Sequence, residues 1–275
     1  MGRVLTKNQQ IEQSITNIYH KTIWNKFILA IDNYKLISNG DSIAVCISGG
    51  KDSMLMAKLM QMYQRYSGVQ FSITYLVMNP GYSTPNVQKI EHNAKLLELP
   101  IQVFNTNILR VVNKEAKNPC FLCAKMRRGS LYAKAKELGC NKIALGHHYN
   151  DVIETTLMGM LYGSQIQAML PKLKSDNFEG MQLIRPLYCI REDDVISWKD
   201  YNGLEFLQCA CKFTANSIVN TSKRKEVKLL IKSLMQTNPN VEKNIFHSIH
   251  NVQLDSLVEY KTKGIKHSFL EEFED

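Results

Sequence analysis

IAVCISGGKDSMLMAKLM, residues 43–60, is the stretch of sequence that decides the fold of this chain. Its first five residues form an apolar run, which is typical of a strand buried on both faces of a sheet. Two adjacent glycines then interrupt the run, and the apolar residues from Met54 onward favour a helix. The stretch therefore predicts a strand, a tight turn and a helix in close succession.

The turn carries side chains and backbone suited to phosphate binding. Its six residues are Ser48, Gly49, Gly50, Lys51, Asp52 and Ser53. The glycines permit positive φ and close approach of a ligand, so successive N–H groups and the helix N-terminus can converge on phosphate oxygens. The serines add hydroxyl donors, the lysine adds a cation, and the aspartate can hold Mg²⁺. We therefore predict that ATP binds here, with Mg²⁺ near Asp52.

The spacing of this turn separates it from the commoner phosphate-binding loop. A Walker A loop needs four residues between its first glycine and its Gly-Lys-Ser/Thr, and the chain lacks that spacing here. Residues 48–53 instead resemble the SGGxDS pyrophosphate loop of the N-type ATP pyrophosphatases. An ordinary Gly-Gly turn with a capping side chain is the alternative, but strand, turn and helix signals agree with the first interpretation.

The rest of the chain alternates strands with helices. Further strands are predicted at 71–78, 101–104, 142–145, 181–184 and 205–207, and helices at 84–99, 122–138, 151–161 and 192–201. This alternation predicts an α/β fold with a doubly wound, mostly parallel sheet. Helical patterns over residues 8–38 and 222–260 add helices at both ends. We expect three parts: an N-terminal helical segment (1–40), a nucleotide-binding catalytic domain (41–215) and a C-terminal helical extension (216–275).

Positive charge is concentrated in one region. The chain of 275 residues has a formal net charge of +9, and residues 110–142 hold nine basic residues but only two acidic ones. Such a field favours a polyanion, with nucleic acid as the first candidate. A solvated lysine-rich helix face is the alternative interpretation.

No apolar stretch approaches the length needed to span a bilayer, and residues 1–6 lack a signal-peptide core. We therefore expect a cytosolic protein without membrane attachment. Cytosolic cysteines rarely form disulfide frameworks, so the seven cysteines are interpreted through their spacing.

Two cysteine groups have spacing suited to metal or redox chemistry. Cys120 and Cys123 form a CxxC pair before a predicted helix, and Cys209 and Cys211 form a CxC pair farther along. Each group follows a predicted strand or loop, so both can reach the carboxyl edge of the sheet, where ATP is expected. Three or four thiolates suit zinc or an iron–sulfur cluster. A structural zinc clip and unrelated core cysteines remain alternatives.

Several separated motifs in order resemble the tRNA 2-thiocytidine synthetase (TtcA) family of pyrophosphate-loop enzymes, from Ile43 to Lys212. The motifs are Ser48 to Ser53, Cys120-Phe121-Leu122-Cys123, Arg127-Arg128-Gly129, Gly146-His147-His148 with Asp151 and Glu154-Thr155, Leu161-Tyr162-Gly163, Arg185-Pro186-Leu187, and Cys209. The second cysteine pair departs from the family's CxxC, because Lys212 stands where the later cysteine would fall.

The resemblance implies ATP-dependent thiolation of a tRNA cytidine at C2, at position 32 of the anticodon loop. It implies a [4Fe-4S] cluster held by Cys120, Cys123 and Cys209, with Cys211 optional. Its open iron would carry sulfur from a donor such as a cysteine desulfurase. With Asp52, these three cysteines are the predicted catalytic residues.

Residues outside the loop complete the predicted site. The additional nucleotide-binding residues are Met78, Gly146, His147 and Asp151, and the predicted tRNA contacts are Lys125, Arg127 and Arg128. The terminal helices are a candidate homodimer interface.

Four other functions are compatible with parts of this pattern. Thiolation of a tRNA uridine uses the same chemistry, although enzymes of that type usually add terminal zinc-finger cysteines. A lysidine synthetase needs no cysteine cluster, and a cluster-dependent desulfurase needs no ATP loop. A zinc-stabilised tRNA-binding adaptor without turnover is the alternative outside enzymes.

Overall fold

The computed structural model describes residues 4–112, 119–207 and 223–273. The chain divides into two compact units. The first comprises Met1–Val152 and Met169–Asn220, and the second comprises Ile153–Ala168 and Thr221–Asp275.

The first unit is built on a six-stranded sheet. Its strands are β1 (Ser42–Ile47), β2 (Ser72–Asn79), β3 (Ile101–Asn105), β4 (Lys142–Ala144), β5 (Lys172–Lys174) and β6 (Gln182–Ile184). Their order is β3-β2-β1-β4-β6-β5, and all neighbours are parallel except β5 and β6. The predicted doubly wound, mostly parallel sheet is confirmed.

Helices precede the sheet and connect its strands. They are α1 (Lys7–Thr16), a π-helical turn (His20–Trp24), α2 (Asn25–Asn33), α3 (Lys51–Tyr66), α4 (Thr84–Leu96), α5 (Ile108–Val112), α6 (Pro119–Glu137), α7 (Tyr149–Gly163) and α8 (Glu192–Tyr201). The helices predicted over residues 8–38 are confirmed. The five-residue helix α5 has no counterpart in the sequence-based prediction.

The core follows the alternation of side chains along the strands. Ala44 and Cys46 of β1 pack in one cluster with Tyr132 and Ala135 of α6. The intervening residues of β1 are also buried, and alternation places them on the opposite face. Because β1 is covered on both faces from Ile43 to Ile47, these five residues are all apolar.

A polar network closes the amino ends of β1 and β4. The ammonium of Lys142, which is 3% exposed, lies 2.5 Å from Oδ2 of Asp41 and 2.9 Å from the carbonyl oxygen of Leu36. Asp41 also accepts hydrogen bonds from the Ser38 N–H and the Asn141 side chain. A buried ammonium is tolerated only with such partners.

The second unit contains α9 (Lys223–Thr237), α10 (Val241–Ser248) and an antiparallel hairpin of β7 (Glu259–Thr262) and β8 (Ile265–Ser268). The helical pattern expected up to Tyr260 is therefore wrong after Ser248, where the last α-helix ends ahead of the hairpin. A two-residue turn joins the strands, and both Lys263 (φ 50°) and Gly264 (φ 83°) have positive φ. Lysine rarely adopts this conformation, so the sequence lacks the usual Asn-Gly signal for the turn.

Two further predictions in the first unit are wrong. Residues 205–207 form no strand, because their polar backbone groups bond elsewhere: the Glu205 carbonyl accepts from Asn93 and the Leu207 N–H donates to Gly49. Conversely, Lys172–Lys174 forms a strand that pairs with β6, and the strands predicted from the sequence do not include it. None of the described helices combines the length and apolar character that crossing a bilayer requires.

Candidate active site

The turn after β1 adopts the conformation that its glycines allow. Gly49 has a φ of +88°, and a Cβ at this position would lie 2.7 Å from Cγ1 of Ile90. Gly50 is the N-cap of α3, and no side chain there bonds to the first turn of the helix. The first turn of α3 therefore has no side-chain cap, and its N–H groups suit an anionic ligand.

Hydrogen bonds within the turn hold its shape. The Ser53 hydroxyl donates to the Gly50 carbonyl over 2.9 Å and accepts from the Ser48 N–H over 3.1 Å. Oγ of Ser48 lies 3.1 Å from the same hydroxyl oxygen. Because the serines bond to the loop itself, the backbone is preorganised before any ligand binds.

A cavity of about 310 Å³ opens beside this turn. Its lining residues are Cys46, Ile47, Ser48, Asp52, Ser53, Met78, Arg127, Leu131, Leu145, Gly146, His147 and Asp151. It lies at the carboxyl ends of β1, β2 and β4, where the strand order reverses between β1 and β4. Ligands of doubly wound sheets bind at this topological position.

Gly146 lets the end of β4 approach the loop closely. A Cβ on Gly146 would lie 3.1 Å from the backbone N and Cα of Ser53. A larger residue would therefore push the start of α3 away from the cavity.

The two charged residues of the loop form an ion-pair network with a third. Nζ of Lys51 lies 3.2 Å from Oδ2 of Asp52 and 3.2 Å from Oε1 of Glu192, the first residue of α8. Burial lowers the pKa of Lys51, but the two carboxylates outweigh it and hold the pKa above its ordinary value. Lys51 therefore remains charged near neutral pH.

The other oxygen of Asp52 is in a different situation. Oδ1 is buried without a hydrogen-bond partner and lies 3.8 Å from Nε2 of His148. A buried carboxylate oxygen without a donor is costly, and a divalent cation would relieve that cost. The donor at Asp52 thus fits Mg²⁺ bound together with the phosphates of ATP.

Asp151 organises the start of α7 at the cavity wall. Its Oδ2 accepts a 3.0 Å hydrogen bond from the His148 N–H, while its own N–H faces Nδ1 of His148 at 3.4 Å. His148 is 6% exposed, so these two contacts between His148 and Asp151 are shielded from water. This arrangement fixes the turn that carries Gly146 and His147.

The predicted tRNA contacts occupy two environments. Nη2 of Arg127 donates a 2.9 Å hydrogen bond to the hydroxyl of Tyr82, and Arg127 lines the cavity. Lys125 and Arg128 are exposed on α6. The helix therefore presents one cation inward and others to solvent.

The predicted cysteine ligands are only partly within the described residues. Cys123 is half-buried and packs against a cluster of Met78, Ile108 and Val112. The side chain of Cys120, together with Cys209 and Cys211, lies outside the described part of the chain. Among the residues that the structure does describe, no group of three His, Cys, Asp or Glu side chains could hold a metal ion. The thiol and apolar surroundings of Cys123 fit an iron–sulfur cluster, whose properties depend on limited solvent access.

The structure brings most of the predicted nucleotide-binding residues to one cavity. Seven of the ten predicted nucleotide-binding residues line the cavity, namely Ser48, Asp52, Ser53, Met78, Gly146, His147 and Asp151. Gly49, Gly50 and Lys51 lie in the adjoining turn. The contributions of Tyr82 and Glu192 were missed, because their partners Arg127 and Lys51 are far away in the sequence. Leu131 had a usable signal, since it lies one helical turn beyond Arg127 on α6.

A family model described as a PP-loop domain matches residues 8–217. The tRNA-cytidine(32) 2-sulfurtransferase of Paraburkholderia phytofirmans is 32% identical over 94% of this chain and 76% of its own length. That of Syntrophotalea carbinolica is 33% identical over 85% of this chain and 90% of its own length. The chain belongs to the tRNA-cytidine(32) 2-sulfurtransferase family. The predicted family assignment is confirmed.

The fold of this 2-sulfurtransferase family member also occurs in a solved structure. The U34-tRNA thiolase NcsA from Methanococcus maripaludis, determined with its [4Fe-4S] cluster, has a TM-score of 0.67 and 21% sequence identity. The match covers 90% of this chain and 81% of that chain. At this identity the likeness establishes the PP-loop fold of the sulfurtransferase and no more.

Proposed function

We propose that this protein is an ATP-dependent tRNA thiolase that replaces O2 of a cytidine, at position 32, with sulfur. The observation that carries the proposal is the cavity of about 310 Å³ that joins the pyrophosphate loop to Arg127 on the basic helix α6. Nucleotide-binding and RNA-binding chemistry meet in one site. The sequence relationship to the tRNA-cytidine(32) 2-sulfurtransferases supports the same reaction.

In the first half of the reaction, O2 of cytidine attacks the α-phosphorus of ATP and pyrophosphate leaves. The preorganised N–H groups of the loop and the start of α3 bind the departing pyrophosphate. Lys51 contributes a positive charge to the phosphates, and Asp52 would hold Mg²⁺, which would neutralise further phosphate charge. The cytidine oxygen, bonded to AMP, has become a good leaving group.

In the second half, sulfur adds to C2 and AMP departs with the original oxygen. Cys120, Cys123 and Cys209 would hold a [4Fe-4S] cluster, and Cys211 is optional. The cluster, when bound, supplies an open iron site for sulfur from a donor such as a cysteine desulfurase. The apolar cluster around Cys123 limits water at this side of the site, which disfavours hydrolysis of the adenylated base.

Three basic residues of α6 are proposed to bind tRNA. Lys125 and Arg128 are exposed and suit phosphate contacts, whereas Arg127 lines the cavity that the reacting base would enter. An anticodon loop suits this site, because its unstacked bases can enter a cavity.

The proposal includes the wider organisation of the protein. Residues 1–40 and 216–275 are proposed as additions to a catalytic domain at 41–215, the second of which contains the β7–β8 hairpin as well as helices. The protein is proposed to be cytoplasmic and to form a homodimer through those additions. Size-exclusion chromatography with light scattering measures the oligomeric state directly.

The test is thiolation in vitro with anaerobically purified protein, Mg-ATP, sulfide and a tRNA transcript carrying cytidine at position 32. Digestion and mass spectrometry of the nucleosides should show 2-thiocytidine, with one pyrophosphate released per thiolated base. A transcript with uridine at position 32 and a non-cleavable α,β-methylene ATP are the matched controls. Asp176→Asn, at an exposed carboxyl outside the cavity, should retain full activity.

Two other outcomes would redirect the proposal. Thiouridine in place of thiocytidine would transfer the same chemistry to another base. Binding of ATP and tRNA without pyrophosphate release, with stoichiometric zinc in the purified protein, would favour a zinc-stabilised adaptor.

A further inference from the structure

Lys51 is bound by two carboxylates at the point where the proposed function requires it to meet phosphate. One belongs to its neighbour Asp52, which is part of the loop. The other, Glu192, is 141 positions away in the sequence and is brought to the loop by the packing of α8 against α3. The Lys51 and Glu192 side chains are 23% and 16% exposed, so water screens this pair only in part.

The backbone holds Glu192 at this place. Its N–H donates a 2.9 Å hydrogen bond to Oδ1 of Asn150, which is in the second position of α7. Its carboxylate also stands at the N-terminus of α8, where the helix dipole favours negative charge. Glu192 is therefore a fixed anion, and Lys51 is the mobile partner on its flexible four-carbon side chain.

A fixed anion beside a phosphate site has an energetic consequence. When the triphosphate of ATP enters the turn, its oxygens and Glu192 compete for one ammonium group. When Lys51 moves to the phosphate, its ion pair with Glu192 is broken. The free energy of that ion pair is lost, and the binding of ATP is weaker by this amount.

We infer that Glu192 restrains Lys51 in the substrate-free protein, so that ATP binds only by displacing the carboxylate. The inference rests on the proposed function, since it requires ATP at this loop. Glu192 is a positioning residue in this scheme, because it acts through Lys51 and touches no reacting atom. Its effect is to weaken the binding of ATP and to make occupancy of the loop depend on the ATP concentration.

Equilibrium binding of Mg-ATP to the full-length protein, measured by isothermal titration calorimetry without tRNA, tests this inference. E192Q keeps the size of the side chain and removes its charge. We expect the dissociation constant for ATP to fall about three- to tenfold, as for loss of a partly exposed ion pair. Thermal unfolding of each variant shows whether the fold is intact.

Two variants separate the ion pair from the general charge of the helix. D193N removes one negative charge from the same helical turn at an exposed position and should leave the dissociation constant within twofold of wild type. E192D keeps the charge but withdraws the carboxylate by one methylene from its 3.2 Å contact. It should therefore tighten ATP binding nearly as much as E192Q.

The possible results are distinct. Weaker ATP binding by E192Q would overturn the inference, because it would mean that Glu192 holds Lys51 in its productive position. Equal tightening by E192Q and D193N would also overturn it in favour of long-range repulsion. An E192Q affinity equal to that of wild type would overturn this inference alone, whereas absence of ATP binding by the wild type would overturn the proposed function with it.

Discussion

The amino and carboxyl ends of strands β1 and β4 differ in whether their buried polar groups have hydrogen-bond partners. At the amino end, both carboxylate oxygens of Asp41 accept hydrogen bonds, and the ammonium of Lys142 has two acceptors. At the carboxyl end, Asp52 keeps a buried oxygen without a hydrogen bond, and α3 starts without a side-chain cap. A satisfied buried network contributes to stability, whereas unsatisfied groups at a cavity mark where a ligand completes the structure.

Asp52→Asn, at the carboxyl end, should lower activity strongly and leave stability nearly unchanged. The loss of a charged Mg²⁺ ligand removes stabilisation of the phosphate charge in the transition state, and we expect thiolation and pyrophosphate release to fall on the order of 100-fold or more. The melting temperature should change little, because Oδ1 has no hydrogen bond to lose and the contact of Oδ2 with Lys51 is a partly exposed ion pair. Steady-state kinetics and calorimetry measure the two quantities. Near-normal turnover would show that Asp52 does not act on the phosphates.

Asp41→Asn should give the opposite pattern. It leaves the buried ammonium of Lys142 without its countercharge, at a cost of about 3 kcal/mol in the free energy of unfolding. ATP affinity of the folded protein should remain at the wild-type value, since Asp41 is remote from the cavity lining. Urea unfolding followed by circular dichroism measures the first effect. A variant as stable as wild type would mean that the pair of Asp41 and Lys142 does not contribute to the stability of the fold.

Gly49→Ala should affect stability and ATP binding together. The positive φ costs an alanine about 1 kcal/mol or more, and its Cβ would collide with the buried Ile90. Gly68→Ala is the matched control, because Gly68 has a φ of +73° and open space around the added Cβ. We expect Gly49→Ala to be destabilised by about 2 kcal/mol and Gly68→Ala by about half as much. Equal losses, with ATP binding intact, would mean that the loop tolerates displacement.

Sequence patterns predicted one end of the sheet better than the other. The loop of residues 48–53 can be recognised from the sequence, because the strand, the glycines and the helix that define it are contiguous. The network at the amino end joins Asp41 to Lys142, two residues 101 positions apart that become neighbours only when β1 pairs with β4. Residues 205–207 were misjudged for a related reason: their apolar pattern suits a strand, but the Leu207 N–H bonds to the loop carbonyl of Gly49. Local sequence patterns determine which helices and strands form, whereas the pairing of distant segments determines the hydrogen-bond partners of polar groups.

Tyr82→Phe tests the cavity wall opposite the loop. The variant removes the hydroxyl that accepts a hydrogen bond from Arg127 and leaves the ring in place. We expect KM for tRNA to rise about three- to fivefold, with little change in ATP affinity, as for loss of one hydrogen bond that contributes about 1 kcal/mol. Tyr66→Phe, at a tyrosine that is 66% exposed, is the control and should leave KM unchanged. An equal rise of KM in both variants would show that the Tyr82 hydroxyl does not orient Arg127.

The smallest expected effect is a difference in acid sensitivity. Burial raises the pKa of Asp41, but hydrogen bonds from Lys142 and Asn141 outweigh it and hold the pKa below its ordinary value of 3.8. The stability that this carboxylate contributes is therefore present above pH 3.8 and is lost as the pH falls through the lowered pKa of the folded state. In Asp41→Asn this component should be missing, so the stability of the variant should decline less steeply below that pH. Parallel pH profiles of unfolding would contradict the expectation.

The hydrogen bond from the Leu207 N–H to the Gly49 carbonyl, 3.0 Å long, connects two residues that are far apart in the sequence. Leu207 is two residues before Cys209, the last of the three predicted cluster ligands. A change in the backbone of the nucleotide loop must keep or break this bond, and either event reaches the chain next to that cysteine. The nucleotide loop and Leu207 are therefore not independent, and a substitution that displaces the backbone of Gly49 also acts on the backbone of Leu207.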